Sequence, residues 1–187
     1  MTRSVLLTVA LCAVGVGVAF TTSPGAQTAA QSAAPVARSI QRSWNEAKRN
    51  VAESAEFMPE ANYGYKPVDT VRSFGQILAH LAGANYVFCA AARGEKTPHA
   101  EDEYEKSATT RIAINKALTD SLTYCDAAFT AMTDAKLAET VTAPFGGSQE
   151  SRAQVLLSQI GHVNEHYGNL VTYFRMKGLV PPSSRPR

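Results

Sequence analysis

At 187 residues, 45% hydrophobic and 18% charged, the chain has the size and apolar content of one ordinary domain. Its formal net charge is only +2. The lysines and arginines are scattered rather than gathered into the stripe that phosphate neutralisation needs, which argues against nucleic acid as a partner.

At the N-terminus, Arg3 stands before an apolar run from Ser4 to Phe20, and small and polar residues follow. This is the layout of a secretory signal peptide, with cleavage points after Ala26 or Ala30. Residues 1–30 are therefore read as a signal peptide, and the mature chain is expected to be exported, periplasmic or secreted, with no stable membrane insertion. A retained anchor helix is the alternative, because roughly 17 apolar residues is the lower limit for spanning a bilayer. Cys12 does not make a lipoprotein signal, since it lies inside the run behind Leu11. Export places Cys89 and Cys125 in an oxidising compartment, where they form a candidate disulfide; two free buried thiols are the alternative.

Apolar residues at helical spacing predict a first helix over 36–57, with Val36, Ile40, Trp44, Ala47, Val51 and Ala55 on one face. Met58-Pro59 ends it. After a connection rich in turn formers, a second helix is expected over 70–93, capped by Thr70 and burying Phe74, Ile77, Leu78, Leu81, Ala84 and Phe88, with His80 in the same sector. Residues 94–107 are polar and include five acidic residues and His99, which reads as a solvated side chain in a long loop. About fourteen extended residues reach ~45 Å, more than the ~36 Å of the preceding helix, so the chain can return and lay a third helix parallel to the second. That third helix is expected over 109–132 with a stripe of Ile114, Leu118, Leu122, Cys125 and Phe129. Residues 133–150 lack a helical period and read as a loop with a short extended piece near 139–143. The fourth helix, 151–177, is stopped by Gly178 and Pro181-Pro182. Residues 31–182 thus make one domain, and 183–187 a flexible tail. No segment alternates with period two, so the fold class is all-α, a four-helix bundle in which each apolar stripe has a partner.

Two histidines, His162 and His166, sit one turn apart on the inner face of the fourth helix, with Val155, Gln159, Val163, Leu170 and Tyr173. Imidazoles at i and i+4 can converge on one ion, which makes them half a metal site; hydrogen-bonded core histidines are the plain alternative. His80 supplies a third inward imidazole. His162, Glu165 and His166 also spell the inverted zinc-peptidase signature H-x-x-E-H, but no acidic residue follows to complete it. Glu165 stands as a general base or as a solvated side chain. With the first helix taken as antiparallel to the second, Trp44 falls within a turn of His80, as a pocket wall or as core. Asn169 and Tyr173 follow His166 on its face, where they orient a ligand or satisfy polar groups inside the bundle.

The Trp-bearing first helix, Y-G-Y-K-P ahead of S-F-G-Q-I-L-A-H-L, and H-x-x-x-H-Y-G-N-L-V-T-Y-F-R-M-K-G-L-V-P-P resemble the DinB/YfiT-like superfamily of metalloenzymes over residues 36–182. The resemblance implies an up-down-down-up bundle with one divalent metal ion on His80, His162 and His166. Three imidazoles without a carboxylate or thiolate suit zinc or nickel. It also implies a metal-dependent hydrolase or group transferase acting on an unidentified small molecule, with a homodimer common among similar proteins. Characterised relatives include thiol-dependent enzymes, and export would remove this chain from the cytoplasmic thiol pool. A non-catalytic metal-binding or interaction module is the competing reading.

Overall fold

The computed structural model describes residues 34–186. Helix α1 spans Pro35–Phe57 and opens with proline, whose missing N–H costs nothing in a first turn. Ala34 offers no side-chain cap. Instead the Asp134 carboxylate, brought from far along the chain, accepts from the N–H of Ala37 at 2.8 Å and sits at the positive end of the helix dipole. Ala37, Ile40, Trp44, Ala47, Val51 and Ala55 form the buried face, whereas Val36 is 54% exposed and lies off the expected stripe. Met58 leaves the helix in extended geometry, as a residue before proline should.

Helix α2 covers Phe74–Arg93 and begins later than expected. Its cap is Ser73, not Thr70: the Ser73 hydroxyl accepts from the Gln76 N–H, and the Gln76 side chain accepts from the Ser73 N–H at 2.8 Å. This reciprocal box satisfies two helix-end donors where Thr70 would satisfy one. Gly94, at φ 74°, closes the other end in the left-handed conformation.

The stretch expected as a long loop contains a five-residue helix, α3, at Glu103–Ser107. The chain ahead of it crosses α2 at Gly83, where an added Cβ would lie 1.9 Å from the Glu101 carbonyl oxygen. Only glycine permits that crossing. His99 is correspondingly half-buried rather than solvated: it hydrogen-bonds Glu103 at 2.9 Å, and its ring lies 4.5 Å from that of Tyr86. A loop folded back onto a helix buries side chains that a free loop would expose.

Helix α4, Arg111–Thr130, is capped by Thr110 and buries the whole expected stripe. After the single turn α5, Asp134–Leu137, the extended piece is strand β1, Thr140–Thr142, paired antiparallel with an unforeseen β2, Gln149–Ser151. Gly146 and Gly147 turn the hairpin, both with φ near 70°. Helix α6 follows at Arg152–Met176, with Ser151 as its cap.

Contacts between residues fix the directions of the four long helices. Arg111 at the start of α4 reaches Glu56 at the end of α1, and Asp134 beyond α4 caps the start of α1, so these two are antiparallel. Gly75 faces Ile114, Asn85 bonds Ser121 and Cys89 is joined to Cys125, so α2 and α4 are parallel. Phe74 meets Phe174 and Asn85 meets Gln159, so α2 and α6 are antiparallel. The order is up-down-down-up. Helix α1 packs on α4 and α6, and α2 packs on the same two from the opposite corner.

The Cys89–Cys125 disulfide joins α2 to α4 with Cα atoms 5.3 Å apart. Residues 183–185, expected as a free tail, are fastened instead: the Ser183 N–H donates to the Tyr167 hydroxyl at 2.8 Å, and the Arg185 guanidinium lies 3.8 Å from the Phe57 ring centroid. Pro181 and Pro182 turn the chain back across the ends of α1 and α6, where those partners wait. No helix among the described residues is long and apolar enough to cross a membrane. The expected signal peptide, residues 1–30, lies outside the described residues.

Candidate metal centre

Antiparallel packing of α2 on α6 decides which side chains meet. Phe74 against Phe174 fixes one level, and Asn85 against Gln159 fixes another. His80 lies between these levels on α2, and the turn from His162 to His166 lies between them on α6. Their imidazoles therefore converge. His80 Nε2 is 3.2 Å from His162 Nε2, and His166 Nε2 is 3.1 Å from the same atom. Two nitrogens bound to one ion at ~2.1 Å would be about 3.0 Å apart at a right angle and about 3.4 Å apart at a tetrahedral angle. These two separations fall between those values, and the three ligand atoms all lie within 4.8 Å of one another, so the donor set can hold a single ion. Among the described residues this is the one group of three side chains able to hold a metal.

The remaining ring nitrogens differ. His80 Nδ1 lies 2.9 Å from Glu105 Oε1. Arg72 holds the same carboxylate through Nε to Oε2 at 2.8 Å and Nη2 to Oε1 at 3.2 Å. His166 Nδ1 faces the Asn169 amide at 3.5 Å, the outer limit for a hydrogen bond. His162 Nδ1 is buried with no hydrogen-bond partner.

Burial and neighbouring charges favour the uncharged form of His162 and His166. Burial, then the charges of His166, His80 and Arg72, push His162 down to about 4. Burial and the His80 charge lower His166 as well. Burial alone would raise the Glu105 carboxyl, but the hydrogen bond and charge of Arg72, helped by His80, outweigh it and hold Glu105 below its ordinary value. At neutral pH His162 and His166 are thus uncharged beside one ionised carboxylate, and metal ligation requires imidazole in that state.

A cleft of about 790 Å³ opens beside His166, lined by Lys66, Arg72, Gln76, Asn169 and Tyr173 among others. The Tyr173 hydroxyl donates to the Arg72 carbonyl oxygen at 2.7 Å, tying α6 to the segment before α2. Asn169 and Tyr173 thus lie where the helix face put them. Glu165 is exposed, is not part of the cleft lining, and touches the cluster only through its charge on His166. Of the two readings of Trp44, pocket wall or core, the structure shows the core. The indole does not line the cleft but is fully buried against α4, stacked on Phe129 at 4.6 Å and donating to Asp126 at 2.8 Å. The helix that carries it packs on α4 and α6 rather than on α2, so an equal level along the bundle does not bring Trp44 to His80. Glu105 and Arg72 are residues that sequence reasoning missed. Glu105 is one acidic residue among several in an aperiodic stretch, and its position depends on the crossing at Gly83.

A model of the DinB superfamily matches residues 26–170. Among solved structures, a DinB-like protein from Bacillus cereus superposes with a TM-score of 0.61 at 17% identity, covering 76% of this chain and 93% of that one. A DinB-like protein from Bacillus subtilis gives 0.61 at 19% identity, covering 80% and 99%. A mycothiol-dependent maleylpyruvate isomerase gives 0.60 at 16% identity, and the match covers 72% of this chain but only 60% of the isomerase. At such identities the likeness is one of fold. No curated protein matches the chain.

Proposed function

The chain belongs to the DinB superfamily, and on that footing we propose that His80, His162 and His166 hold one divalent metal ion, zinc or nickel, used on a small molecule bound in the adjoining cleft. The observation that carries this reading is the meeting of three Nε2 atoms, with 3.1 and 3.2 Å between the paired nitrogens, at the edge of a solvent-open cleft. A metal ion there would supply Lewis acidity toward a substrate oxygen or a bound water. The chain's own groups do the rest. His162 and His166 are kept neutral by burial, and Lys66, Asn169 and Tyr173 present polar contacts to whatever enters. Hydrolysis or group transfer is the reaction class these features support. Export, supported by the leader pattern and by the disulfide, would take the protein away from cytoplasmic thiols, so thiol transfer is not part of the proposal.

One observation favours a second reading, a metal-binding module without catalysis. Glu105, the carboxylate that contacts the cluster, is committed to Arg72 and His80, which leaves no free general base beside the ligands among the described residues. Metal analysis of protein purified without chelators tests the shared premise. His80→Ala, His162→Ala and His166→Ala should each lose most of the metal while His99→Ala keeps it. Equal metal content in wild type and all three ligand variants would overturn both readings. A screen of hydrolase and transferase substrates on the loaded protein then separates them.

A further inference from the structure

Building on the metal-centre reading, we propose that Glu105 is a positioning residue for that centre: clamped by Arg72, it fixes the tautomer and aim of His80 from the side away from the ion.

A carboxylate only accepts hydrogen bonds, so the 2.9 Å contact between Glu105 Oε1 and His80 Nδ1 places the imidazole proton on Nδ1. In the neutral ring that ligation requires, the lone pair is then on Nε2, the atom that stands 3.2 Å from His162 Nε2. Without an acceptor at Nδ1, a neutral imidazole divides between two tautomers, and the one protonated on Nε2 cannot ligate. Outer hydrogen bonds of this kind typically change metal affinity by about 10- to 100-fold.

Two structural devices deliver the carboxylate. From one side, the connection carrying α3 passes over α2 at the bare Cα of Gly83, where any Cβ would collide with the backbone of Glu101. From the other, Arg72 grips both carboxylate oxygens, and its own backbone is held by the Tyr173 hydroxyl. Glu105 is 19% exposed, which is well enough enclosed to hold one orientation. Fastening alone would explain an Arg72–Glu105 pair as a device that secures α3 on the surface. Such a pair would leave the His80 tautomer unchanged. The contact to Nδ1 is what distinguishes positioning from fastening.

The full-length purified protein and its Glu105→Ala and Glu105→Gln variants provide the test, with two readouts. Zinc dissociation constants are measured by competition with a chromogenic chelator, and the His80 tautomer is read in zinc-free protein by long-range proton–nitrogen NMR. Glu105→Ala should weaken zinc by about 10- to 100-fold and mix the tautomers. Glu105→Gln keeps a carbonyl acceptor and loses the charge, so it should retain the Nδ1–H tautomer and a smaller loss of affinity. Thermal melts of both variants confirm that the bundle is intact. An unchanged His80 tautomer in Glu105→Ala overturns the proposal whatever the affinity does. If the wild type takes up neither zinc nor nickel, the metal-centre reading fails on its own, and the tautomer of the metal-free protein still decides the role of Glu105.

Discussion

Where α1 meets α4, Trp44 lies flat on Phe129, fully buried, and passes its one polar hydrogen to Asp126, which Lys48 also holds. Where α2 meets α6, the space is filled by three imidazoles and by the amides of Asn85 and Gln159. The first seam buries aromatic surface with every polar atom of the indole satisfied, an arrangement that stabilises folding directly. The second leaves His162 Nδ1 and Gln159 Oε1 buried without a partner. Each such atom opposes folding by about 1–3 kcal/mol. The contrast teaches that the bundle satisfies its buried polar group where α1 meets α4 and tolerates unpartnered ones where α2 meets α6, beside the candidate chemistry.

That division can be broken at several points. Trp44→Ala should have the largest effect, lowering the unfolding free energy by ~3–5 kcal/mol in a denaturant titration. The variant that remains folded should keep its zinc affinity, because the tryptophan's partners are Phe129 and Asp126 and not the histidines. A matching loss of zinc affinity would show that the two seams are coupled.

Reducing the Cys89–Cys125 bond, which spans 36 residues of sequence, should cost ~3–4 kcal/mol through the freedom it returns to the unfolded chain. Paired denaturation curves with and without reductant measure it. Thiol titration of the denatured, non-reduced protein should find neither cysteine reactive.

Acid should act on the polar seam by a smaller amount. His162 titrates near 4 when folded and near its ordinary 6.5 when unfolded. Between those values the unfolded chain holds a proton that the folded one refuses, so stability of the metal-free protein is complete above pH ~6.5 and declines as pH falls toward ~4, by at most about 1.4 kcal/mol per pH unit for one proton. The depressed Glu105 adds to the loss as pH falls through the carboxylate range. Replacing His162 by Phe should flatten the upper part of that decline in a pH series of thermal melts, and an unaltered slope would place its source elsewhere.

The sequence disclosed this seam unevenly. His80, His162 and His166 were legible because helical spacing points them inward and because two helices of known stripe can meet only along those stripes. The stripe of α4 was legible for the same reason. Glu105 was not, since the stretch around it has no period, and its place follows from a tertiary crossing that a single glycine permits. The Ser73 cap did have a local signal, a serine three residues ahead of Gln76, and Thr70 was the wrong choice between neighbouring hydroxyls. Trp44 stayed open between pocket wall and core for a geometric reason: level along a bundle is readable from residue counting, whereas the identity of the neighbouring helix is not.

The position of Trp44 has a practical consequence. It is the chain's single tryptophan, so the protein's intrinsic fluorescence reports on one place, the junction of α1 with α4. A fully buried indole emits toward the blue and shifts to the red only when water reaches it. Emission wavelength therefore follows the opening of that junction, and stripping an ion from the histidines while the bundle stays closed should leave it unmoved. The tryptophan is thereby an optical witness to a junction that takes no part in the cleft.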